Sequence, residues 1–224
     1  MRNKAQSRPD LLLLLSLLLV IVMYPVLDHG DAQRAILGAL MFLPLLLATF
    51  RLSEGKGWVW PTVLLMVATF LTAAVSTFFP HPTLVGLKWA LLVVFFGVAV
   101  YGLFPYLKNA RSVTDAHLYT AVSIYLLLGM QWFALYSAID VFFPGSIVQN
   151  STSLVDRQSE LLYFSLVTLS TIGYGDIVPI RGEVRMLAAL EGVTGVLYVA
   201  ITVALLVSSY KQQGTSGEPP APTS

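Results

Sequence analysis

The sequence predicts an all-α membrane protein with six transmembrane helices and one shorter re-entrant segment. Hydrophobic residues make up 56% of the 224 residues and charged residues only 11%, which is unlike the composition of a soluble domain. The apolar residues fall in runs of about 17 to 25, a length that crosses roughly 30 Å of hydrocarbon as a helix. One further apolar stretch, between the last two runs, is too short to cross.

The six apolar runs are the predicted transmembrane helices, at about residues 11–27, 35–50, 58–79, 84–106, 118–142 and 185–210. The basic residues before the first run also fit a signal peptide. That run is long, however, and no small-x-small cleavage site follows it, which favours a spanning helix. The shorter stretch, Leu161 to Ile172, fits a re-entrant segment that neighbouring helices bury.

The lysine and arginine residues near the ends of the spans predict the orientation. With the amino terminus inside, eight of them are cytoplasmic: Arg2, Lys4, Arg8, Arg51, Lys56, Lys108, Arg111 and Lys211. Four are external: Arg34, Arg157, Arg181 and Arg185. This asymmetry favours cytoplasmic amino and carboxyl termini in a cell membrane. Four external acidic residues flank the re-entrant segment and should attract cations: Asp156, Glu160, Asp176 and Glu183.

The composition also argues against several classes of function. A net charge of +1 favours neither a nucleic-acid partner nor an acidic substrate. The chain has no cysteine, which excludes disulfides, thiolate metal sites and cysteine nucleophiles. The polar loops contain no Ser-His-Asp, metal-binding or phosphate-binding pattern that stands out, so an enzyme is disfavoured.

The most informative stretch runs from Leu161 to Pro179. Its first half is predicted to form a short helix, whereas Gly173 and Gly175 break helical propensity in the second half and permit positive φ on alternate residues. Such alternation turns successive carbonyls to the same side. Four strands of this kind around an axis would stack rings of oxygen able to replace the water shell of K⁺. Those oxygens are the Thr171 hydroxyl and the carbonyls of Thr171, Ile172, Gly173 and Tyr174.

The nine residues from Thr168 to Asp176, Thr-Leu-Ser-Thr-Ile-Gly-Tyr-Gly-Asp, resemble the signature filter of potassium channels. Over the whole chain the resemblance is to bacterial six-span channels, strong over about 118–210 and weak over 1–110. It implies K⁺ ligands at five filter residues, Thr171, Ile172, Gly173, Tyr174 and Gly175. It also implies five residues that support the filter, Tyr163, Phe164, Thr168, Ser170 and Asp176.

The stretch departs from the commonest pattern of that family at two places. Many relatives have two tryptophans where this chain has Tyr163 and Phe164. An indole hydrogen bond to Asp176 is therefore not available, although aromatic packing around Tyr174 is. Val167 replaces a glutamate that pairs with the filter aspartate in some relatives, so an inactivation mechanism built on that pair is not expected.

The last span is predicted to line the inner pore. Gly195 lies 22 residues after Gly173, the offset at which the family places a hinge glycine, and Gly192 is a second candidate. Close packing between helices explains either glycine equally well. Glu191 is a carboxylic acid inside a span, which by default suggests a functional residue. Structural support behind the filter is the favoured alternative for it.

The chain divides into four predicted segments: a cytoplasmic amino-terminal segment (1–10), a four-helix transmembrane domain (11–110), a pore domain (111–211) and a disordered cytoplasmic tail (212–224). The second of these resembles a voltage sensor without its arginines, since Lys88 is the only charge between Thr83 and Tyr106. Steep voltage gating is therefore not expected. The gating stimulus and the inactivation behaviour do not follow from the sequence.

These inferences lead to a homotetrameric channel that conducts K⁺ passively, with lipids and K⁺ as its partners. No cofactor is expected beyond the permeant K⁺ ion. Two alternatives remain: a poorly selective cation channel, and a non-conducting modulatory subunit with a pore-like fold. Tyr174 and Gly175 argue against poor selectivity, because relatives of that type usually change one of these residues.

Overall fold

The computed structural model describes residues 8–27, 31–53, 59–108, 114–149 and 157–215. This part of the chain forms seven helices and two short strands. The helices are α1 (Arg8–Leu27), α2 (Asp31–Ser53), α3 (Val59–Phe78), α4 (Pro82–Lys108), α5 (Asp115–Phe142), α6 (Arg157–Leu169) and α7 (Gly182–Thr215). The strands are β1 (Ile147–Gln149) and β2 (Ile177–Pro179). Most of the predicted amino-terminal segment and residues 216–224 of the predicted tail lie outside the described residues.

Helix α1 has one buried face and one exposed face, and both are mainly apolar. Its buried residues recur every three or four positions, at Leu13, Leu17, Val20 and Tyr24, which places them along one stripe of the helix. The opposite face is just as apolar, with Leu12, Leu15, Leu18, Leu19, Val22 and Val26 exposed. A helix that is hydrophobic all round and exposed on one side suits a lipid environment.

Five helices are long and apolar enough to cross a membrane, namely α1, α3, α4, α5 and α7. Helix α2 contains a shorter apolar segment, Ile36–Leu52. The helical membrane fold is thus confirmed, and a count of six spans stays a prediction. Each predicted span coincides with one helix, although the helices begin two to four residues earlier in most cases because polar residues continue the helical turn.

The four amino-terminal helices pack as a bundle against the fifth. Helix α4 makes its main contact with α5, and α1 also packs along α5. Only residues 109–114 connect α4 to α5, so a fully extended connection spans about 20 Å at most. The core is one continuous cluster that extends from α1 into α5 and α6 through residues such as Tyr24, Trp89 and Phe133. Phe133 packs edge-to-face with both other rings.

A buried ion pair joins this bundle to α5. Asp10 was counted with the polar amino-terminal segment in the sequence analysis, but its side chain is 1% exposed. Its Oδ1 atom lies 2.6 Å from Nε of Arg51 on α2 and accepts a hydrogen bond of 3.1 Å from the Thr120 hydroxyl on α5. The Arg51 guanidinium also lies over the ring of Tyr106 on α4. Four helices therefore meet at one polar cluster.

The carboxyl-terminal half wraps α5 and α7 around the short helix α6. Strands β1 and β2 pair antiparallel, with Val148 opposite Val178, and so bring the segment before α6 next to the segment after it. The chain between α6 and β2, residues 170–176, contains the predicted filter, Thr171 to Gly175. Its position is thus fixed on one side by a helix and on the other by a strand pair.

Candidate functional site

The carboxyl end of α6 passes directly into the candidate filter, and backbone hydrogen bonds join the two. The Val167 carbonyl accepts bonds from the N–H groups of Ile172 (3.0 Å) and Gly173 (3.3 Å), and the Thr168 carbonyl accepts one from Thr171 (3.0 Å). These donors satisfy carbonyls that the last turn of a helix would otherwise leave unpaired. The start of the filter is therefore held by the helix that precedes it.

The backbone of the filter alternates between positive and negative φ. Gly173 has φ 55° and Gly175 has φ 79°, as their spacing in the sequence predicts, and Thr171 also has a positive value of 59°. Thr171 is the only residue other than glycine with positive φ in the described part of the chain. A β-branched residue rarely adopts this conformation, which costs about 1–2 kcal/mol. Three alternate residues thus carry the geometry that turns neighbouring carbonyls to one side.

The side chains of the filter project away from the rest of the chain. Ile172 is 55% exposed and Tyr174 is 70% exposed, and all five residues from Thr171 to Gly175 are exposed. A filter strand packed only within its own chain would bury these apolar groups. The backbone of the strand and much of its apolar side-chain surface therefore lie open on the surface of this chain.

Tyr163 is the aromatic residue of α6 that contacts the filter. Its ring lies parallel to that of Tyr174, with centroids 6.5 Å apart, which is the aromatic packing around Tyr174 that the sequence analysis considered available. The Asp176 carboxylate accepts a hydrogen bond from the backbone N–H of Ile177, 3.0 Å away.

The other predicted supporting residues lie around this contact. Phe164 is 5% exposed and packs edge-to-face with Tyr136 of α5, centroids 5.1 Å apart. The Ser170 hydroxyl lies 2.7 Å from the Leu166 carbonyl, so it caps α6. Thr168 contributes its carbonyl to the filter connection, as described above. Behind the filter, a cavity of about 230 Å³ is lined by Tyr163, Phe164 and Thr168 together with Gly173 to Pro179.

The two candidate hinge glycines lie where α7 crosses the end of α6. A Cβ atom added to Gly195 would lie 1.9 Å from the Leu169 carbonyl oxygen, which is far inside contact distance. A Cβ added to Gly192 would lie 3.6 Å from the Thr168 carbonyl, an ordinary contact. Gly195 is therefore at a close approach between backbones, as expected of a packing glycine. A hinge at either residue stays a prediction.

Glu191 lies on the same helix and is completely buried, with 0% exposure. Its Oε2 atom is 2.7 Å from the Tyr136 hydroxyl on α5, and its Oε1 atom is 2.6 Å from the Ser165 hydroxyl on α6. The carboxyl group thus joins three helices and lies on the buried side of α7. This arrangement favours the structural alternative of the sequence analysis.

An ion pair fixes the other end of α6. Nη2 of Arg157 lies 2.6 Å from Asp140 Oδ1 at the end of α5 and 2.7 Å from the Ile147 carbonyl of β1. The hydrogen bond to Asp140, together with the nearby charges of Asp140 and Glu160, raises the pKa of Arg157 above its usual value despite partial burial. Arg157 thereby ties α5, β1 and the start of α6 together.

Sequence reasoning missed four residues of this arrangement: Tyr136, Ser165, Asp140 and Arg157. Glu191 was the available signal for the first two, because a carboxyl group inside a span needs hydrogen-bond partners. The partners could not be named, since they depend on how α5 and α6 are rotated about their axes. Within the described residues, no group of three or more His, Cys, Asp or Glu side chains could hold a metal ion.

Comparison with known proteins shows a similarity to ion channels over the part of the chain that contains this site. Residues 114–212 match a family model described as an ion channel. A candidate potassium channel protein from Rhodopseudomonas palustris is 36% identical over 53 residues, covering 24% of this chain and 13% of the relative. Two pore potassium channel a from Oryza sativa subsp. japonica is 35% identical over 80 residues, or 36% of this chain and 20% of the relative.

A third relative is an A-type voltage-gated potassium channel from Homo sapiens, 28% identical over 97 residues, or 42% of this chain and 15% of the relative. The chain spans a fifth or less of the length of these curated relatives. No solved structure matches the chain.

The long apolar helices are those of a multi-pass helical membrane protein, and residues 114–212 match the ion-channel family model. The named relatives confirm the predicted resemblance to potassium channels. Because channels are not enzymes, the match also agrees with the prediction that the chain is not one.

Proposed function

We propose that the chain is one subunit of a homotetrameric channel that conducts K⁺ passively and selectively. The observation that carries the proposal is the alternation of positive φ at Thr171, Gly173 and Gly175 directly after a capped helix. Four such strands around an axis would replace the hydration shell of K⁺ with backbone oxygens. The ligands would come from Thr171, Ile172, Gly173 and Tyr174, with Gly175 supporting the outermost ring.

The exposed surfaces support an assembly of identical chains. One chain supplies only a quarter of a closed ring, and cyclic symmetry joins copies through repeated contacts. Besides Ile172 and Tyr174, helix α7 exposes an apolar face that includes Leu190, Val193 and Leu197. The occupant we propose for this face is the neighbouring copy around the pore. The negative end of the α6 dipole would then point toward the axis and favour a cation there.

The remaining parts of the chain have supporting roles in this proposal. Residues 11–110 form a peripheral domain on the outer helix, and residues 111–211 form the pore, with both termini cytoplasmic. Tyr163, Phe164, Thr168, Ser170 and Asp176 hold the filter in shape. No cofactor is needed, since K⁺ itself is the only ligand.

The proposal is tested by ion uptake into liposomes that contain the purified full-length protein. We expect uptake of radioactive rubidium, an analogue of K⁺, that an excess of external K⁺ suppresses and an equal excess of Na⁺ does not. Suppression by both ions would indicate a poorly selective cation channel. No uptake above that of empty liposomes would indicate a non-conducting subunit. Either of these results would contradict the proposal.

A further inference from the structure

If Glu191 were ionised, the buried hydrogen-bond chain around it would have more contacts between oxygen atoms than hydrogens to fill them. Glu191, Tyr136 and Ser165 each have a relative exposure of 0%. The Tyr136 hydroxyl donates to Oε2 of Glu191 over 2.7 Å. The Ser165 Oγ atom lies 2.6 Å from Oε1 of Glu191 and also 2.8 Å from the Gly129 carbonyl oxygen.

The hydroxyl of Ser165 carries one hydrogen, but two acceptors lie within hydrogen-bond distance of it. A single hydrogen cannot point at both acceptors, and neither a carboxylate nor a carbonyl has a hydrogen of its own to donate to Ser165. With an ionised Glu191, one of these two contacts would therefore bring two oxygen atoms together without a well-aligned hydrogen between them. Sharing one hydrogen would bend and weaken both bonds, whereas the distances of 2.6 Å and 2.8 Å are those of two full hydrogen bonds.

One additional proton on Glu191 supplies the missing hydrogen. We propose that Glu191 is protonated and that its Oε1–H group donates to Ser165 Oγ. Ser165 then donates to the Gly129 carbonyl, and Tyr136 donates to Oε2. Each of the three short contacts holds one hydrogen, and no charge is buried. The result is a neutral latch, defined here as Glu191, Ser165, Tyr136 and the Gly129 carbonyl.

The surroundings of Glu191 agree with a neutral group. Charge in a buried transmembrane position is costly unless it is paired. None of the ion pairs found among the described residues includes Glu191; the acids in them are Asp10, Asp140, Glu160 and Glu183. The two side chains that form hydrogen bonds with it, Tyr136 and Ser165, carry uncharged hydroxyls.

The latch makes Glu191 a positioning residue. Ser165 lies six positions before Thr171 on the helix that leads into the filter, and the latch ties that helix to α5 and α7 together. This consequence for conduction rests on the proposed function. The protonation of Glu191 does not, because it follows from the hydrogen-bond geometry alone.

The variant Glu191→Gln distinguishes a neutral latch from one that contains an ionised carboxylate. In Glu191→Gln, the amide NH₂ group can donate to Ser165 Oγ and the amide oxygen can accept from Tyr136, so all three bonds are kept. Glu191→Leu has a similar size but makes neither of the two bonds that involve residue 191, so the Tyr136 hydroxyl loses its acceptor and Ser165 Oγ loses its donor. A neutral latch therefore predicts that the glutamine variant behaves like the wild type.

The experiment compares these variants as full-length protein in lipid nanodiscs at pH 7. Infrared spectroscopy should show a band of a protonated carboxylic acid in the wild type that is lost in Glu191→Gln. The matched control is Glu183→Gln, which changes an exposed glutamate on the same helix and should leave the band in place. Thermal unfolding should give a Tm within about 2 °C of wild type for Glu191→Gln and several degrees lower for Glu191→Leu.

Two results would overturn the proposal: an acid band that survives in Glu191→Gln, or a Tm as low in Glu191→Gln as in Glu191→Leu. Both readouts are independent of ion flux. A wild-type protein that conducts no rubidium would contradict the proposed function and leave the test of the latch valid.

Discussion

At the scale of single residues, the conformation of Thr171, Gly173 and Gly175 carries the most information about function. The two glycines could be predicted from sequence, because they adopt positive φ without steric cost. The positive φ of Thr171 could not, since a β-branched residue disfavours it. It is held by local backbone hydrogen bonds: the bond from its own N–H to the Thr168 carbonyl and those from the next two residues to the Val167 carbonyl fix the chain at this point. Strain of this kind concentrates at functional sites.

The first prediction tests whether backbone conformation at Gly175 determines selectivity. Gly175 and Gly145 both have φ 79°, and a Cβ added to either meets nothing within 4 Å in this chain. Alanine should cost about 1–2 kcal/mol of backbone strain at either position. We expect Gly175→Ala to reduce the preference for K⁺ over Na⁺ by about tenfold or more, which is what such a loss of ion-binding energy gives.

Gly145→Ala is the matched control for that measurement. Gly145 lies in the turn before β1, outside the filter, so its replacement should leave the preference measured by competition in liposome uptake unchanged. A selective Gly175→Ala channel would show that carbonyl orientation at this residue does not matter for selectivity.

At the scale of secondary-structure elements, the crossing of α7 over α6 positions the filter. The sequence predicted both helices and marked Gly192 and Gly195, since glycines in a span permit either bending or close packing. It could not distinguish these possibilities, because the answer depends on which side of α7 faces α6. The structure brings the Gly195 side of α7 against the Leu169 carbonyl.

The second prediction compares alanine at these two glycines. Gly195→Ala puts a methyl group where the Leu169 carbonyl lies, so the helices must move apart, and overpacking of this kind costs about 1–3 kcal/mol. Gly192→Ala adds a methyl group at normal contact distance and should be tolerated. Thermal unfolding in detergent should show a Tm several degrees lower for Gly195→Ala only, together with loss of rubidium uptake. Equal Tm values would mean that the crossing is not tight in the assembled protein.

At the scale of the whole molecule, the Asp10, Arg51 and Thr120 cluster anchors the amino-terminal bundle to the outer pore helix. The topology predicted from the sequence puts the start of α1 and the end of α2 on the same side of the membrane. It could not predict the pairing itself, because the partners of Asp10 are 41 and 110 residues away and meet only when four helices pack. Arg51 and Asp10 were therefore assigned separately to solvent-facing ends.

The third prediction concerns this anchor. Arg51→Met removes a charged partner from the buried carboxylate of Asp10, which should cost about 3–5 kcal/mol of stability. Asp10→Asn in the Arg51→Met background removes the buried charge and should recover much of the loss, which a double-mutant cycle of unfolding free energies measures. Arg8→Met, which changes an exposed arginine on the same helix, should have almost no effect. Purely additive single and double variants would contradict the anchor.

The most direct test of selective conduction is the reversal potential of single channels in a planar bilayer with K⁺ on one side and Na⁺ on the other. Rings of backbone oxygen matched to dehydrated K⁺ predict a reversal potential displaced far from zero, with the sign expected for K⁺ as the permeant ion. A reversal potential near zero, from the same purified full-length protein, would mean that residues 171 to 175 do not form a K⁺-selective filter.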